Sequence, residues 1–206
     1  MSRKRATIEL GPIVAGMTAT GEDDDVVTAV LDAAAGLLVT YGLRRWSVDD
    51  VADRAGVGRT SVYRKFGGRD EIVHAVLARE LRHTFAIIAA AAAQHDSFEE
   101  KVVAGAHAAL RALDGSVVEG VLRSDPATFL PFLTTEAGPL LDIARMLLAP
   151  QIRLAGLAED DAHAAELAES VARLALSFIL TRDSVFPAEE VALADSLRRL
   201  LRPLLR

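Results

Sequence analysis

Apolar residues recur at three- and four-residue spacing along most of the chain, and this period predicts amphipathic helices rather than strands. The first clear stretch is preceded by acidic residues 23–25, which suit the positive end of a helix dipole, and is closed by Gly42. We therefore predict a helix over about 23–41. Its expected buried face consists of Val27, Val30, Leu31, Ala34, Leu37 and Leu38.

Two much shorter helical segments follow. The first runs over 48–55, with Ser47 as N-cap and Asp50 in the capping-box position, and Gly56 ends it after two turns. The second runs over 59–66 and is broken by the Gly-Gly pair that comes directly after it. The pattern predicts a helical pair joined by a tight glycine turn.

The rest of the chain is predicted to be helical, with short connections and neither strands nor repeats. A long helix is expected from Arg69 or Asp70 to Ala93, and Ser97-x-x-Glu100 is a capping box that opens the next one. Together these patterns predict an all-α protein of about nine helices. The helix that follows Ser97 should end near Leu113. Further helices are expected to begin at Pro126 and Pro139, to run from Asp160 or Asp161 to about Thr181, and to begin at Pro187.

Residues 1–22 contain several glycines and no lasting periodicity, and we expect a flexible N-terminal tail. The basic triplet Arg3-Lys4-Arg5 is open to two interpretations, an arm that follows a DNA groove or a solvated tail. Met17 is an alternative start position.

Charge is distributed unevenly. The net charge of the chain is −6, yet residues 1–69 carry 10 basic and 9 acidic side chains, a net of +1. Residues 58–69 hold Arg59, Arg64, Lys65 and Arg69 without any acid. A basic patch on an acidic protein is compatible with a nucleic-acid partner.

Cysteine is absent, which excludes disulfides, thiolate catalysis and cysteine-ligated zinc. No apolar run is long enough for a membrane span, and we expect a cytoplasmic protein without a membrane partner.

Residues 47–66 hold the pattern that bears most directly on function. Two short helices joined by a glycine turn form a helix-turn-helix, whose second helix reads the major groove of DNA. Such a helix needs cations for phosphates and small polar groups or Arg for base edges. An ordinary helical hairpin with a solvated basic face is the alternative. The second segment supplies Arg59, Thr60, Ser61, Tyr63, Arg64 and Lys65.

The run AGVGRTSVYRKFGGRDEI over residues 55–72 resembles the signature of the TetR family of bacterial transcriptional repressors. Its marks are the glycine-valine turn, the tyrosine-x-x-phenylalanine end of the recognition helix, and a basic residue followed by acids at the start of the next helix. The resemblance covers 47–72 in detail and 24–206 in architecture. It implies a tail over 1–22, a DNA-binding domain over 23–68, and a ligand-binding and dimerisation domain over 69–206.

The resemblance also implies roles for single residues. Thr60 and Ser61 are expected at base edges, and Lys65 on phosphate, whereas Arg59 and Arg64 are open to either role. The family often has serine where this chain has Gly58, which puts that contact in doubt. The full expected DNA-binding set is Ser47, Arg59, Thr60, Ser61, Tyr63, Arg64, Lys65 and Arg69.

For the larger domain the resemblance implies a homodimer formed by the last two helices and a cavity for a small apolar or amphipathic effector that releases the DNA. A packed core of the single chain is the alternative for both sets. The expected dimer residues are Val171, Leu174, Ala175, Phe178, Leu197 and Leu201. The expected ligand-binding residues are Phe85, His107, Phe129, Phe132, Ile143, Met146 and Leu147.

A helical-bundle enzyme and a scaffold without DNA binding are the rival interpretations. Glu71-x-x-His74 and Glu80-x-x-His83 resemble the pairs of di-iron bundles. Nine residues along a helix turn it by about 900°, so the two pairs face opposite sides and cannot share a metal. We expect no enzymatic activity, no cofactor and no metal.

Overall fold

The computed structural model describes residues 10–18, 24–43, 45–181, 190–201 and 203. Every regular element within these ranges is an α-helix, which confirms the all-α prediction. The helices are α1 (Leu10–Thr18), α2 (Asp25–Tyr41), α3 (Val48–Ala55), α4 (Arg59–Phe66), α5 (Arg69–Ala92), α6 (Phe98–Leu113), α7 (Val117–Ser124), α8 (Pro126–Leu133), α9 (Gly138–Leu154), α10 (Asp161–Leu180) and α11 (Glu190–Leu201). None of them combines the length and the apolarity that a membrane span requires.

Helix α1 lies where the sequence predicted only a tail. Ile13 is almost fully buried, and a Cβ on Gly16 would lie 2.9 Å from that of Ala78. Arg82 of α5 donates a hydrogen bond to the carbonyl of Gly16. The expectation of an irregular segment was wrong for 10–18, because packing against α5 stabilises a helix too short to show a period. Residues 1–9, and with them the basic triplet, lie outside the described residues.

Helix α7 is the second helix that the pattern did not predict. The Ser116 hydroxyl accepts a hydrogen bond from the Glu119 N–H at 3.1 Å, and the Glu119 carboxylate accepts one from the Gly115 N–H at 2.7 Å. This cap is written in the sequence as Ser-x-x-Glu. A Cβ on Gly120 would lie 3.1 Å from the Val39 Cα, so glycine is needed where α7 crosses α2.

The chain forms two compact units: residues 1–83 with 115–132, and residues 84–114 with 133–206. The helices α7 and most of α8 thus belong with the N-terminal helices, and α5 contributes to both units. The functional boundary at 68/69 stays a prediction.

In the first unit α2 is the central element, with α3 and α7 packed against it and α4 packed against α3. Arg79 of α5 forms an ion pair with Asp32 of α2 at 2.8 Å. The most deeply buried side chains of this unit are Ile13, Val30, Leu38, Leu43, Val51, Val62, Ile72, Val76, Leu77 and Val121.

In the second unit α9 packs against α10, and α6 packs against α10 and α11. Arg198 of α11 donates to both carboxylate oxygens of Glu100 at 2.8 and 2.9 Å, and this pairing lowers the pKa of Glu100. The predicted cap at Ser97 is present, but the Glu100 carboxylate binds α11 instead of completing a capping box. The core is formed by Phe98, Val102, Val103, Ile152, Ala164, Ala168, Leu193 and Leu197.

The expected dimer residues divide between the core and the surface of this unit. Leu197 is 3% exposed in the single chain and lies in the core of the second unit, and its expected place in a dimer interface stays a prediction. Val171, Leu174 and Phe178 pack against the core but keep part of their surface, and Ala175 is half-buried. The side chain of Leu201 and residues 182–189, where the last helix was expected to begin, lie outside the described part of the chain.

We predict that Ile152→Ala lowers the free energy of unfolding by about 2–5 kcal/mol, because Ile152 is fully buried and truncation leaves a cavity. Leu154→Ala, in the same helix but 89% exposed, is the matched control and should change it by less than about 0.5 kcal/mol. Urea unfolding followed by circular dichroism measures both. Equal losses for the two variants would contradict the packing of α9.

Candidate nucleic-acid interface

Helices α3 and α4 form the predicted helix-turn-helix. Gly56 adopts φ 68°, and its N–H contacts the carbonyls of Ala52 and Asp53, which closes α3. At the other end of α3, the Ser47 hydroxyl accepts from the Asp50 N–H, and the Asp50 carboxylate accepts from the Ser47 N–H at 2.7 Å. The Ser47 hydroxyl also donates to the Asp50 carboxylate at 2.7 Å, and this bond together with the one from the Ser47 N–H lowers the pKa of Asp50. The capping box is confirmed.

Helix α4 is anchored on one side only. Val62 is completely buried and Phe66 half-buried, whereas the rest of the helix faces outward. Gly58 at its N-cap offers no side chain to the first turn, as the sequence indicated. The structure therefore brings six of the expected DNA contacts onto one outer surface, which we call the α4 face. Arg59, Thr60, Tyr63, Arg64 and Lys65 of this face are exposed and Ser61 is half-buried.

Two cations of the α4 face are paired with acids from other helices. Arg59 binds Asp49 in the first turn of α3, and Lys65 binds Asp24, the N-cap of α2. The Lys65 ammonium holds the pKa of Asp24 below its ordinary value, with help from the Val27 N–H. Arg64, by contrast, forms no ion pair with any residue that the structure describes. The sequence pattern placed Asp24 only at the start of α2 and predicted no role for Asp49.

Arg69 lies against the helix-turn-helix instead of projecting from it. Its guanidinium carbon is 4.9 Å from the centroid of the Trp46 ring, a cation–π contact. The Trp46 indole N–H in turn donates to the Gly42 carbonyl at 2.9 Å. The first residue of α5 is thus held against Trp46, directly before the helix-turn-helix, and its expected contact with DNA stays a prediction.

The expected ligand-binding residues divide between the two units, and their role in binding stays a prediction. Phe129 and Phe132 are buried in the first unit with ring centroids 6.1 Å apart, whereas the other five belong to the second. Met146 is 62% and Leu147 44% exposed in the single chain, so the structure does not enclose either. A cavity of about 480 Å³ in the first unit contains none of the expected residues. It is lined by Leu37, Tyr41, Arg45, Trp46, Asp50, Asp53 and Arg54.

Comparison with known proteins gives two matches to family models. Residues 30–76 match the model of bacterial regulatory proteins of the tetR family, and residues 98–203 match the bacterial tetracyclin repressor C-terminal domain. The chain belongs to the TetR family. As a member it is a helix-turn-helix transcriptional regulator, a DNA-binding protein of the repressor type.

Individual TetR-family proteins are similar over most of the chain. The HTH-type transcriptional regulator AlkX of Mycobacterium tuberculosis is 30% identical over 181 residues, which cover 85% of this chain and 82% of that protein. The crystal structure of the TetR-family repressor AlkX of Dietzia sp. is 26% identical with a TM-score of 0.61, over 86% of this chain and 96% of that one. The repressor QsdR of R. erythropolis shares the fold, at 22% identity and a TM-score of 0.53, over 90% and 96%.

TetR-family regulators bind DNA as dimers, carry a C-terminal ligand-binding domain and are generally not enzymes. Membership of the family contradicts the interpretation as a scaffold without DNA binding, whereas the absence of enzymatic activity in this chain stays a prediction. Among the described residues, no three His, Asp or Glu side chains are grouped so that they could hold a metal ion.

We predict that Ser47→Ala lowers the free energy of unfolding by about 1 kcal/mol, because it removes the N-cap of α3. Ser61→Ala, on the α4 face, removes a hydroxyl that caps no helix and should leave stability unchanged. Chemical unfolding of the two variants provides the comparison. A loss in Ser61→Ala as large as that in Ser47→Ala would argue against the capping role.

Proposed function

We propose that the protein is a repressor whose homodimer places two α4 faces on a palindromic operator, and that a small apolar or amphipathic effector releases it. The outward arrangement of Arg59 to Lys65 around the buried Val62 carries the proposal, because a major-groove helix needs that surface and that anchor. Ser47 and Arg69 would add backbone contacts. One such helix reads few base pairs, so two copies about 34–36 Å apart are required.

The surface of α10 supports the dimer. Its core-facing side uses Leu174 and Phe178, yet half-buried apolar residues continue around the helix at Ala175, Leu176 and Ile179. A turn of 100° per residue places Leu176 about 200° from Leu174, so α10 is apolar on two sides. A helix of this kind is normally covered on both. We assign the second side, with Ala175 and the outer surface of Val171, to the partner subunit.

Helix α5 is the proposed connection between effector and DNA. Its first residue, Arg69, stacks on Trp46 of the DNA-reading unit, and its last turns, from Thr84 to Ala92, belong to the second unit. An effector that favours one pose of α5 must change DNA affinity, and DNA must change effector affinity by the same factor.

The effector class is proposed from chemistry and from one relative. The Dietzia AlkX repressor is described as implicated in the biodegradation of n-alkanes. The second unit of this chain has an apolar core with few polar side chains, which suits a ligand with a long hydrocarbon chain.

A gel-shift experiment on the DNA directly upstream of the protein's own gene tests the proposal. We expect a shifted band, and we expect footprinting to locate a palindrome within the bound fragment. C10–C16 alkanes, alcohols or carboxylates should dissociate this complex to an extent that depends on their chain length. Binding to this fragment no tighter than to random DNA would refute the operator. A footprinted complex that no hydrocarbon compound weakens would refute the effector class alone.

We predict that Arg64→Ala weakens operator binding by about 1–3 kcal/mol and relaxes the preference at one base pair, because its guanidinium pairs with no acid among the described residues and can read guanine. Lys65→Met is the contrasting variant. It should weaken binding to all sequences about equally and reduce the salt dependence by roughly one unit. Fluorescence anisotropy with single-base operator variants measures both. Equal losses on operator and random DNA for Arg64→Ala would exclude base reading.

A further inference from the structure

The acids that pair with the α4 face sit at its two ends. Asp49 of α3 holds Arg59, the first residue of α4, and Asp24 of α2 holds Lys65, the last but one. The acids come from different helices, so the two pairs are independent observations of the same arrangement. Both occupy the cations that would otherwise meet DNA phosphates.

Asp24 divides its two carboxylate oxygens between two tasks. Oδ1 accepts a hydrogen bond from the Val27 N–H at 2.8 Å and so caps α2, while Oδ2 accepts one from the Lys65 ammonium. The Lys65 side chain is only 27% exposed, because it lies along the protein towards this acid. The carboxylate therefore neutralises the ammonium that a phosphate would contact.

We propose that Asp24 and Asp49 are internal counter-ions of the α4 face, which occupy Lys65 and Arg59 in the DNA-free protein and must be displaced on binding. Their effect is to lower affinity for DNA of any sequence. Binding to random DNA is almost wholly electrostatic, so the counter-ions act most directly against non-specific occupancy of the genome. The inference rests on the proposed role of the α4 face in DNA binding.

The size of the effect follows from the exposure of the pairs. Ion pairs between exposed side chains are weak, so releasing one cation should tighten DNA binding by only about two- to fivefold. It should also steepen the dependence of log K on log salt by a fraction of one unit, since a single exposed carboxylate takes up only part of a cation when its ion pair opens.

Asp24→Asn isolates the counter-ion from the cap. Asparagine is as good an N-cap as aspartate, so Oδ1 can keep its bond to Val27, whereas the neutral amide no longer neutralises the ammonium. Asp25→Asn is the matched control. It removes the same charge at the neighbouring position, from a side chain that forms no ion pair among the described residues. For the other end of α4, Asp49→Asn is compared with Asp53→Asn in the same helix.

The full-length variants are titrated with a random 30-base-pair duplex and with the footprinted operator fragment, at several salt concentrations. We expect Asp24→Asn and Asp49→Asn to bind both duplexes about two- to fivefold tighter than the wild type, and each control to differ from the wild type by clearly less. In a Lys65→Met background the gain from Asp24→Asn should disappear. Unchanged melting temperatures establish that the variants are folded.

Equal gains for Asp24→Asn and Asp25→Asn would overturn the inference, since the cause would be total charge. A gain that persists without Lys65 would overturn it as well. Random DNA alone suffices for these comparisons. A wild type that binds all DNA equally would therefore refute the operator proposed above and leave the counter-ions intact.

Discussion

The burial of Val62 is the contact on which the DNA-reading surface depends. In a helix of eight residues, one fully buried side chain fixes which way all the others point. Val62 fills the space beside α3, and the remaining positions from Arg59 to Lys65 are turned outward as a consequence. The short α3 is fixed in turn by the Ser47–Asp50 box at one end and by Gly56 at the other, so local hydrogen bonds and one apolar contact together set the orientation of α4.

What the sequence predicts well here is local. The capping box at Ser47, the end of α3 at Gly56 and the bounds of α3 and α4 all depend on residues within a few positions of each other, and the structure has them as predicted. The TetR signature lies within the same segment, which is why these residues alone are enough to indicate the family.

What the sequence predicts poorly depends on partners far along the chain. The helix around Ile13 and Gly16 is not evident from its own sequence, because it depends on contacts with Ala78 and Arg82 of α5. The sequence places Glu100 in a capping box, whereas in the structure its carboxylate binds Arg198, which lies 98 residues further along the chain. Leu197 is 3% exposed within the single chain, a burial that its spacing alone does not show. Periodicity shows that a helix is apolar on one face, but it does not show which other element covers that face.

The pairing of Lys65 with Asp24 is of the same long-range kind, since 41 residues separate the two. A recognition helix rich in cations has an inherent conflict, because the charge that attracts an operator phosphate attracts every other phosphate equally. Acids supplied by neighbouring helices reduce that attraction by a similar amount for all sequences, while contacts to base edges are left untouched. Two of the three cations on α4, Arg59 and Lys65, are paired in this way. Under this proposal, discrimination between sequences is left to the expected base contacts on the same helix.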